Sequence, residues 1–179
     1  MLEQINLSLD LYKMETGTYI PVLQRIDLVY LTDSVAALLD GQARDAGLTV
    51  TVEAATAPLF ARADALLCQS IFTNLLQNAI EASTAGDTVT IRLSATPQPT
   101  WAVSNPSPVP DAIRPVFFEK YATHGKRAGN GLGTYSARLM AECQGGNIRL
   151  ETGDAGTTVT VTLPEEPREG EEASGGRGT

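Results

Sequence analysis

The chain has 179 residues, 42% of them hydrophobic, and a formal net charge of −8. This length fits one domain with some residues left over, and the hydrophobic content supports a packed core. The negative charge argues against nucleic acid and anionic membrane surfaces as main partners, and no run reaches the ~18 apolar residues of a membrane span. No signal peptide opens the chain. Cys68 and Cys143 lie in apolar helical patterns, so we interpret them as buried free thiols in a reducing cytoplasm.

The first predicted element is a helix over residues 2–16, which Gly17 ends. Its apolar residues form two stripes at helical spacing, one of Leu2, Ile5, Leu9 and Tyr12 and the other of Leu7, Leu11 and Met14. A helix this short cannot bury two apolar stripes by itself. We therefore predict that it is the end of a longer helix that packs in a bundle or coiled coil with partners that residues 1–179 do not contain.

The next part of the chain alternates between helices and strands. Asp27 is the predicted N-cap of a helix that runs to about Ala46 and stops at Gly47, and Asp64 is the N-cap of a second that ends near Ser83. The predicted core faces of these two helices are Leu31, Val35, Leu38 and Leu39 in the first and Ile71, Leu75, Leu76 and Ile80 in the second. A third helix is predicted over 133–144, and strands are predicted over 48–53, 57–62, 87–95, 101–104, 147–151 and 157–163.

These elements predict an α+β fold, a two-layer α/β sandwich in which three helices cover a mixed sheet. Residues 105–128 form an irregular stretch that is too long for an ordinary connection, so we predict a lid or binding loop there. Its aromatic residues Phe117, Phe118 and Tyr121 are expected to anchor it to the domain. The remainder, residues 165–179, is rich in Glu, Gly and Ser and is predicted to be a disordered tail.

Two amides on the second of these helices are the first candidates for chemistry. Asn74 and Asn78 lie one turn apart and therefore on the same face. Mg²⁺ prefers hard oxygen ligands and often bridges substrate phosphates. Asn78 could offer its carbonyl oxygen to the metal, and Asn74 could reach a phosphate or a metal-bound water. For an isolated pair of this kind, amides that cap backbone groups or face solvent are the stronger interpretation.

A glycine cluster before the third helix is the second candidate. Gly129, Gly131 and Gly133 allow a backbone to approach phosphates closely, and the helix that follows adds N–H donors and its positive dipole end. Lys126 could neutralise phosphate charge, although a solvated loop lysine is the simpler interpretation. The sequence lacks the lysine and the preceding strand of a P-loop, and no Rossmann βαβ unit follows the glycines.

Asn105 ends a predicted strand and is followed by Pro106. Its amide could read a base edge by accepting a hydrogen bond from an adenine amino group. A turn made by Asn-Pro is a strong alternative.

The order of these motifs resembles the catalytic ATP-binding domain of sensor histidine kinases, which has the Bergerat fold. The matching segments, in chain order, are Asn74-Leu-Leu-Gln-Asn78-Ala, Asn105-Pro-Ser-Pro, Phe118-Glu-Lys-Tyr121, Gly129-Asn-Gly-Leu-Gly133 and Gly156-Thr-Thr158. The resemblance covers about residues 20–164. It implies an ATP-binding catalytic domain at 18–164, with residues 1–17 as the C-terminal end of the dimerisation and phosphoacceptor domain.

The resemblance implies ATP and Mg²⁺ as cofactors, with Asn78 as the metal ligand and Asn74 as its upstream partner. It implies that Lys126 is the lid residue that meets phosphate and that Thr158 lines the adenine end. Asn74, Asn78 and Lys126 are the implied catalytic residues. The full set of implied nucleotide-binding residues is Asn74, Asn78, Asn105, Lys126, Gly129, Gly131, Leu132, Gly133 and Thr158.

Two features depart from the family pattern. Asn105 stands where the family has an aspartate that binds the adenine amine, and prolines and a serine replace the glycines that follow it. The only histidine, His124, lies in the predicted lid and not at a phosphoacceptor position. The acceptor is therefore expected upstream of residue 1, which makes this chain a fragment.

The implied function is Mg-dependent transfer of the ATP γ-phosphate to a histidine of the dimerisation domain in two-component signalling. The implied partners are that domain, a response regulator receiver domain and a second copy of the parent kinase. A hydrolase of the related gyrase, MutL and chaperone superfamily would need a general-base Glu at the position of Asn74. A degenerate, non-catalytic nucleotide-binding or scaffold domain of the same fold remains the alternative, and Asn105-Pro-Ser-Pro is its main support.

Overall fold

The computed structural model describes residues 2–55, 57–122 and 131–165. The helices are α1 (Leu2–Glu15), α2 (Leu28–Asp45), α3 (Ala65–Ala82) and α4 (Gly133–Cys143), with a single 3₁₀ turn at Arg114–Val116. The strands are β1 (Gln24–Asp27), β2 (Thr49–Ala54), β3 (Phe60–Ala63), β4 (Thr88–Ser94), β5 (Thr100–Asn105), β6 (Asn147–Gly153) and β7 (Gly156–Thr162).

Five of the strands form one mixed sheet in the order β2-β4-β5-β7-β6, in which β2 and β4 are parallel and the other pairs are antiparallel. Strands β1 and β3 form a separate antiparallel pair. Helices α2, α3 and α4 pack on one face of the large sheet, and the ring of Phe72 in α3 stacks on Trp101 in β5 with centroids 4.4 Å apart. The predicted two-layer α+β sandwich is confirmed.

The ends of the helices follow from local chemistry. The Asp27 carboxylate accepts from the backbone N–H of Val29 at 3.0 Å, and the Asp64 carboxylate accepts from that of Leu66 at 3.0 Å. Each bond satisfies a donor that the first turn of a helix leaves without a partner. Gly47, just after α2, has a φ of 71°, which a glycine adopts without strain. Both predicted N-caps are confirmed.

The predicted core face of α2 is wrong at Leu38, whose side chain is 64% exposed. The buried residues of this helix are Leu28, Thr32, Val35, Leu39 and Ala43. They follow the helical spacing of three and four residues from the first turn onward, and Leu38 falls outside that stripe. The prediction for α3 is confirmed, because Ile71, Leu75, Leu76 and Ile80 are all buried.

The strand predictions differ from the structure at two places. The strand predicted at 57–62 lies at Phe60–Ala63, and β1 was not predicted from the sequence. β1 has only four residues, Gln-Arg-Ile-Asp, and a single buried side chain, Ile26. These residues form a strand because they pair with β3, and no local sequence pattern indicates that contact.

Helix α1 packs against α4 with one of its two apolar stripes. Leu11 and Met14 are buried, whereas Leu9 and Tyr12 are 51% and 61% exposed. The domain therefore covers one stripe of α1, and the division of the chain at residue 17 stays a prediction. Within the described ranges, none of the helices combines the length and the apolar character that crossing a membrane requires.

Candidate functional site

Asn74 links α3 to the first turn of α4. Its Nδ2 donates to Ser136 Oγ at 3.3 Å, and that hydroxyl donates to the carbonyl oxygen of Gly133 at 3.0 Å. A Cβ built on Gly133 would lie 4.0 Å from the Cβ of Asn74, so the two backbones approach closely. The structure therefore brings together the amide-bearing helix and the glycine-rich start of α4. The two residues in this contact, Asn74 and Gly133, are 59 positions apart in the sequence. Asn78 lies one turn further along α3 and is partly buried.

The start of α4 is suited to an anion. Its N-cap residue, Leu132, has an apolar side chain, and a helix N-terminus carries backbone N–H donors and a partial positive charge. Gly131 has a φ of 67°, a conformation that costs other residues energy. These observations agree with the predicted phosphate-binding role of residues 131–133, which stays a prediction.

Residues 117–121 are held by hydrogen bonds to the first turn of α4 and to the residues just before it, and we call this segment the stem. The Thr134 hydroxyl donates to the carbonyl oxygen of Phe117 at 2.7 Å, and the Tyr121 N–H donates to the carbonyl oxygen of Gly131 at 3.0 Å. Phe117 is buried and meets Phe118 edge to face. The predicted aromatic anchoring holds for these two rings and is wrong for Tyr121, whose side chain is 71% exposed.

Asn105 lies at the end of β5 on the sheet face that the helices cover. It is buried, and it pairs in register with Thr157 of β7. Asn105 Nδ2 donates to the carbonyl oxygen of Ser107 at 3.3 Å, and Thr157 Oγ1 donates to the same oxygen at 2.8 Å. The turn interpretation of Asn-Pro is therefore satisfied, and the amide also faces the helix layer, where it could meet a base.

The structure does not bring Thr158 to Asn105. Thr158 pairs with Ser104, and their hydroxyl oxygens lie 2.9 Å apart on the opposite face of the sheet. Side chains alternate between the two faces of a strand, so only one of two consecutive threonines can face the helices. That residue is Thr157. The sequence signal was the adjacent Gly-Thr-Thr, but the choice between the threonines requires the register.

The predicted site residues Lys126 and Gly129 lie outside the described residues, as do His124 and the whole of the predicted lid beyond residue 122. Their roles stay predictions. The predicted disordered tail, apart from Glu165, also lies outside the described residues.

The two cysteines lie away from this chemistry. Burial is the main cause that raises the pKa of Cys68 to about 12 and that of Cys143 to about 11. Cys68 is fully buried and Cys143 partly so, and both are free thiols. A raised pKa leaves little thiolate at neutral pH, so neither is poised as a nucleophile.

The residues present fit a magnesium ion held mainly by its substrate. No group of three or more His, Cys, Asp or Glu side chains gathers among the residues that the structure describes, so a dedicated protein cage for a cation is not built there. Mg²⁺ typically takes one or two protein oxygens together with phosphate and water oxygens. Asn78, one turn further along α3 than Asn74, carries one such amide oxygen.

A helix-covered mixed sheet, with an amide-bearing helix packed beside a glycine-rich helix start, defines the class of two-layer ATP-binding domains. The family model described as histidine kinase-, DNA gyrase B- and HSP90-like ATPase matches residues 63–167. The chain belongs to this family, and its ATP-binding domain is of the type found in sensor histidine kinases.

Relatives and a solved structure agree with this assignment. The chain is 31% identical over 180 residues to the sensor histidine kinase TmoS of Ectopseudomonas mendocina, covering 95% of this chain and 18% of that protein. It is 26% identical over 175 residues to an uncharacterized sensor-like histidine kinase of Rhizobium meliloti (strain 1021), covering 93% and 33%. It therefore spans a third or less of these relatives. A nucleotide-free catalytic domain of the histidine kinase ThkA superposes with a TM-score of 0.73 at 25% identity, covering 81% of this chain and 99% of that one.

Proposed function

We propose that this domain binds Mg–ATP and transfers the γ-phosphate to a histidine on a dimerisation domain outside residues 1–179. The observation that carries the proposal is the contact of Asn74 with Ser136 and Gly133, which joins the amide-bearing face of α3 to the start of α4. That contact supports a site at which an amide oxygen and the N–H groups of a helix start both reach the nucleotide.

In this proposal each residue has a defined task. Asn78 offers its carbonyl oxygen to the metal, and Asn74 orients the adjoining turn of α4 through Ser136. The N–H groups at residues 131–133, preceded by Gly129, bind phosphate oxygens, and Lys126 adds positive charge. Asn105 accepts from the adenine amino group. Thr157 takes the place that the sequence suggested for Thr158.

Phosphoryl transfer requires little covalent chemistry from the protein itself. Bound Mg²⁺ would neutralise charge on the phosphates. The residues of this chain hold the nucleotide in place for an imidazole that another domain supplies. Because another domain supplies the imidazole, we expect residues 1–179 alone to turn over ATP slowly.

Two other functions are less well supported. A hydrolase needs a general base near the attacking water, and Asn74 occupies the corresponding position with an amide that cannot take a proton. The degenerate-domain alternative rests on Asn105-Pro-Ser-Pro, yet Asn105 keeps an amide on the helix-covered face. The relatives reported above are named as sensor histidine kinases, which does not favour that alternative.

The whole protein is proposed to act as a homodimer in a two-component pathway, with a response regulator receiver domain as the next phosphate acceptor. Residues 1–17 would belong to the helix that leads to the dimerisation domain. We place this domain in the cytoplasm, on the analogy with sensor kinases.

Calorimetry with ATP, with and without Mg²⁺, tests the binding step. We expect saturable binding that requires the metal, and the absence of binding would contradict the proposal. A longer version of the protein that includes its phosphoacceptor helix should then become labelled by γ-labelled ATP through a bond that is labile in acid and stable in base. Release of inorganic phosphate without labelling would instead support a hydrolase.

A further inference from the structure

Glu15, the last residue of α1, makes two short contacts across to the domain. Its Oε1 lies 2.6 Å from Lys120 Nζ and accepts a hydrogen bond from the Tyr135 hydroxyl at 2.6 Å. Glu15 lies outside residues 63–167, which the family model matches. It therefore reaches the ATP-binding domain from a different part of the chain.

Both partners of Glu15 lie beside the proposed phosphate site. Tyr135 belongs to the first turn of α4, directly after Thr134, and Lys120 belongs to the stem. The Lys120 ammonium lies 5.1 Å from the centroid of the Tyr135 ring, a distance at which a cation and an aromatic face attract each other. One carboxylate thus joins the stem to the turn that offers its N–H groups to phosphate.

Two further contacts join the stem to α4. The Thr134 hydroxyl is bonded to Phe117, and Arg138 Nη1 lies 3.2 Å from Glu119 Oε1. Three separate segments of the chain therefore meet at one place: the end of α1, the stem and the start of α4.

We propose that Glu15 is a positioning residue for nucleotide binding, which holds the stem and the first turn of α4 in their binding geometry from the end of α1. This inference rests on the function proposed above. A turn that is already held loses less conformational freedom when phosphate binds, so the contact raises affinity without touching the nucleotide. By linkage, bound nucleotide must strengthen the docking of α1 by the same factor.

The alternative is an ordinary surface ion pair, which contributes little. The Glu15 and Lys120 side chains are 31% and 45% exposed. Glu15, however, serves two partners at once, and these partners also contact each other. The hydrogen bond from Lys120 is the first cause of the lowered pKa of Glu15, followed by that from Tyr135, so the ionised form fits this place.

The test compares Glu15→Gln with a matched control on the same helix, Asp10→Asn. Asp10 pairs with Lys13 at 3.5 Å within α1, so its variant also removes one negative charge but leaves the contact with α4 intact. Calorimetry with Mg–ATP should show affinity weakened about three- to tenfold for Glu15→Gln and unchanged for Asp10→Asn. Adding Lys120→Met to Glu15→Gln should weaken it by less than the product of the two single effects.

Hydrogen exchange without nucleotide supplies a second readout. In Glu15→Gln, the amides of the stem and of the first turn of α4 should exchange faster, while those of the central sheet stay unchanged. Equal affinity and equal exchange in the parent and Glu15→Gln would overturn this inference alone. A lower melting temperature with unchanged affinity would also overturn it, because the contact would then be merely structural. A parent chain that fails to bind Mg–ATP would overturn the proposed function, and this inference with it.

Discussion

Asn105 and Thr157 face each other on β5 and β7, and both donate a hydrogen bond to the carbonyl oxygen of Ser107. Since this partner is an acceptor, the nitrogen of the Asn105 amide must be the atom that faces it. Rotating the amide by half a turn would place two oxygens together. The turn therefore fixes which end of the amide remains for a base, and that end is the oxygen.

The fixed amide predicts a preference for ATP. The Asn105 oxygen can accept from the adenine amino group, whereas guanine presents a carbonyl oxygen at that position. We expect the parent to bind ATP more tightly than GTP by roughly tenfold, which is about 1.4 kcal/mol. Calorimetry with both nucleotides measures this ratio. The ratio should approach one in Asn105→Ala, and a parent without a preference would show that Asn105 does not read the base.

The register of β7 predicts different results for two neighbouring threonines. Thr157→Val removes the bond to Ser107 and should loosen Asn105, which lowers the ATP-to-GTP ratio and costs about 1–2 kcal/mol of stability. Thr158→Val, on the other face of the sheet, should leave nucleotide affinity unchanged. Nucleotide titrations and thermal melts of both variants check this. If Thr158→Val alone weakened ATP binding, the assignment of Thr157 would be wrong.

We predict that residue 156 must be a glycine, because of its backbone conformation and the main-chain atoms close to it. Its φ is 112°, and a Cβ there would lie 2.8 Å from the Cα of Pro106. Gly156→Ala should destabilise the domain by about 2–4 kcal/mol, because backbone strain and a clash with main-chain atoms add together. Gly153→Ala, in the same hairpin, is the control, since nothing lies within 4 Å of its Cβ position. Urea unfolding followed by the fluorescence of Trp101 measures both variants, and similar midpoints would contradict the prediction.

The proposed metal ligand predicts that Asn78→Ala binds ATP no better with Mg²⁺ than without it. The variant removes the amide oxygen and leaves the apolar buried face of α3 in place. Gln77→Ala is the matched control, because the Gln77 amide bonds to Glu81 instead. Titrations of ATP at zero and saturating Mg²⁺ measure the magnesium dependence of ATP affinity in both variants. Unchanged magnesium dependence in Asn78→Ala would remove Asn78 from the site.

The lowered pKa of Glu15 predicts how the docking of α1 depends on pH. A carboxyl group whose pKa is lower in the folded state than its ordinary value of 4.5 stabilises the fold above that value. The contribution is lost as the pH falls through the lowered value. Hydrogen exchange of α1 amides, corrected for the intrinsic effect of pH, should therefore show α1 loosening as the pH falls below 4.5. The Glu15→Gln variant should lack this step, and identical profiles would argue against the contact.

Much of the fold was predictable from the sequence because its causes are local. Asp27 and Asp64 cap helices by bonding to N–H groups two and three residues away, and Gly17 and Gly47 end helices through their own backbone freedom. The spacing of Asn74 and Asn78 puts them on one face of any helix. These features need no knowledge of distant residues, which is why the helices, including the amide-bearing one, were predicted correctly.

The tertiary structure decided what depends on partners far away in the chain. The register between β5 and β7 put Thr157, and not Thr158, on the sheet face that the helices cover. The packing of α4 decided which stripe of α1 is buried, and β3 made a strand of Gln24–Asp27. The meeting of Glu15 with Lys120 and Tyr135 joins residues separated by more than a hundred positions. Sequence patterns report the periodicity of one element at a time, whereas these contacts depend on how two elements are placed against each other.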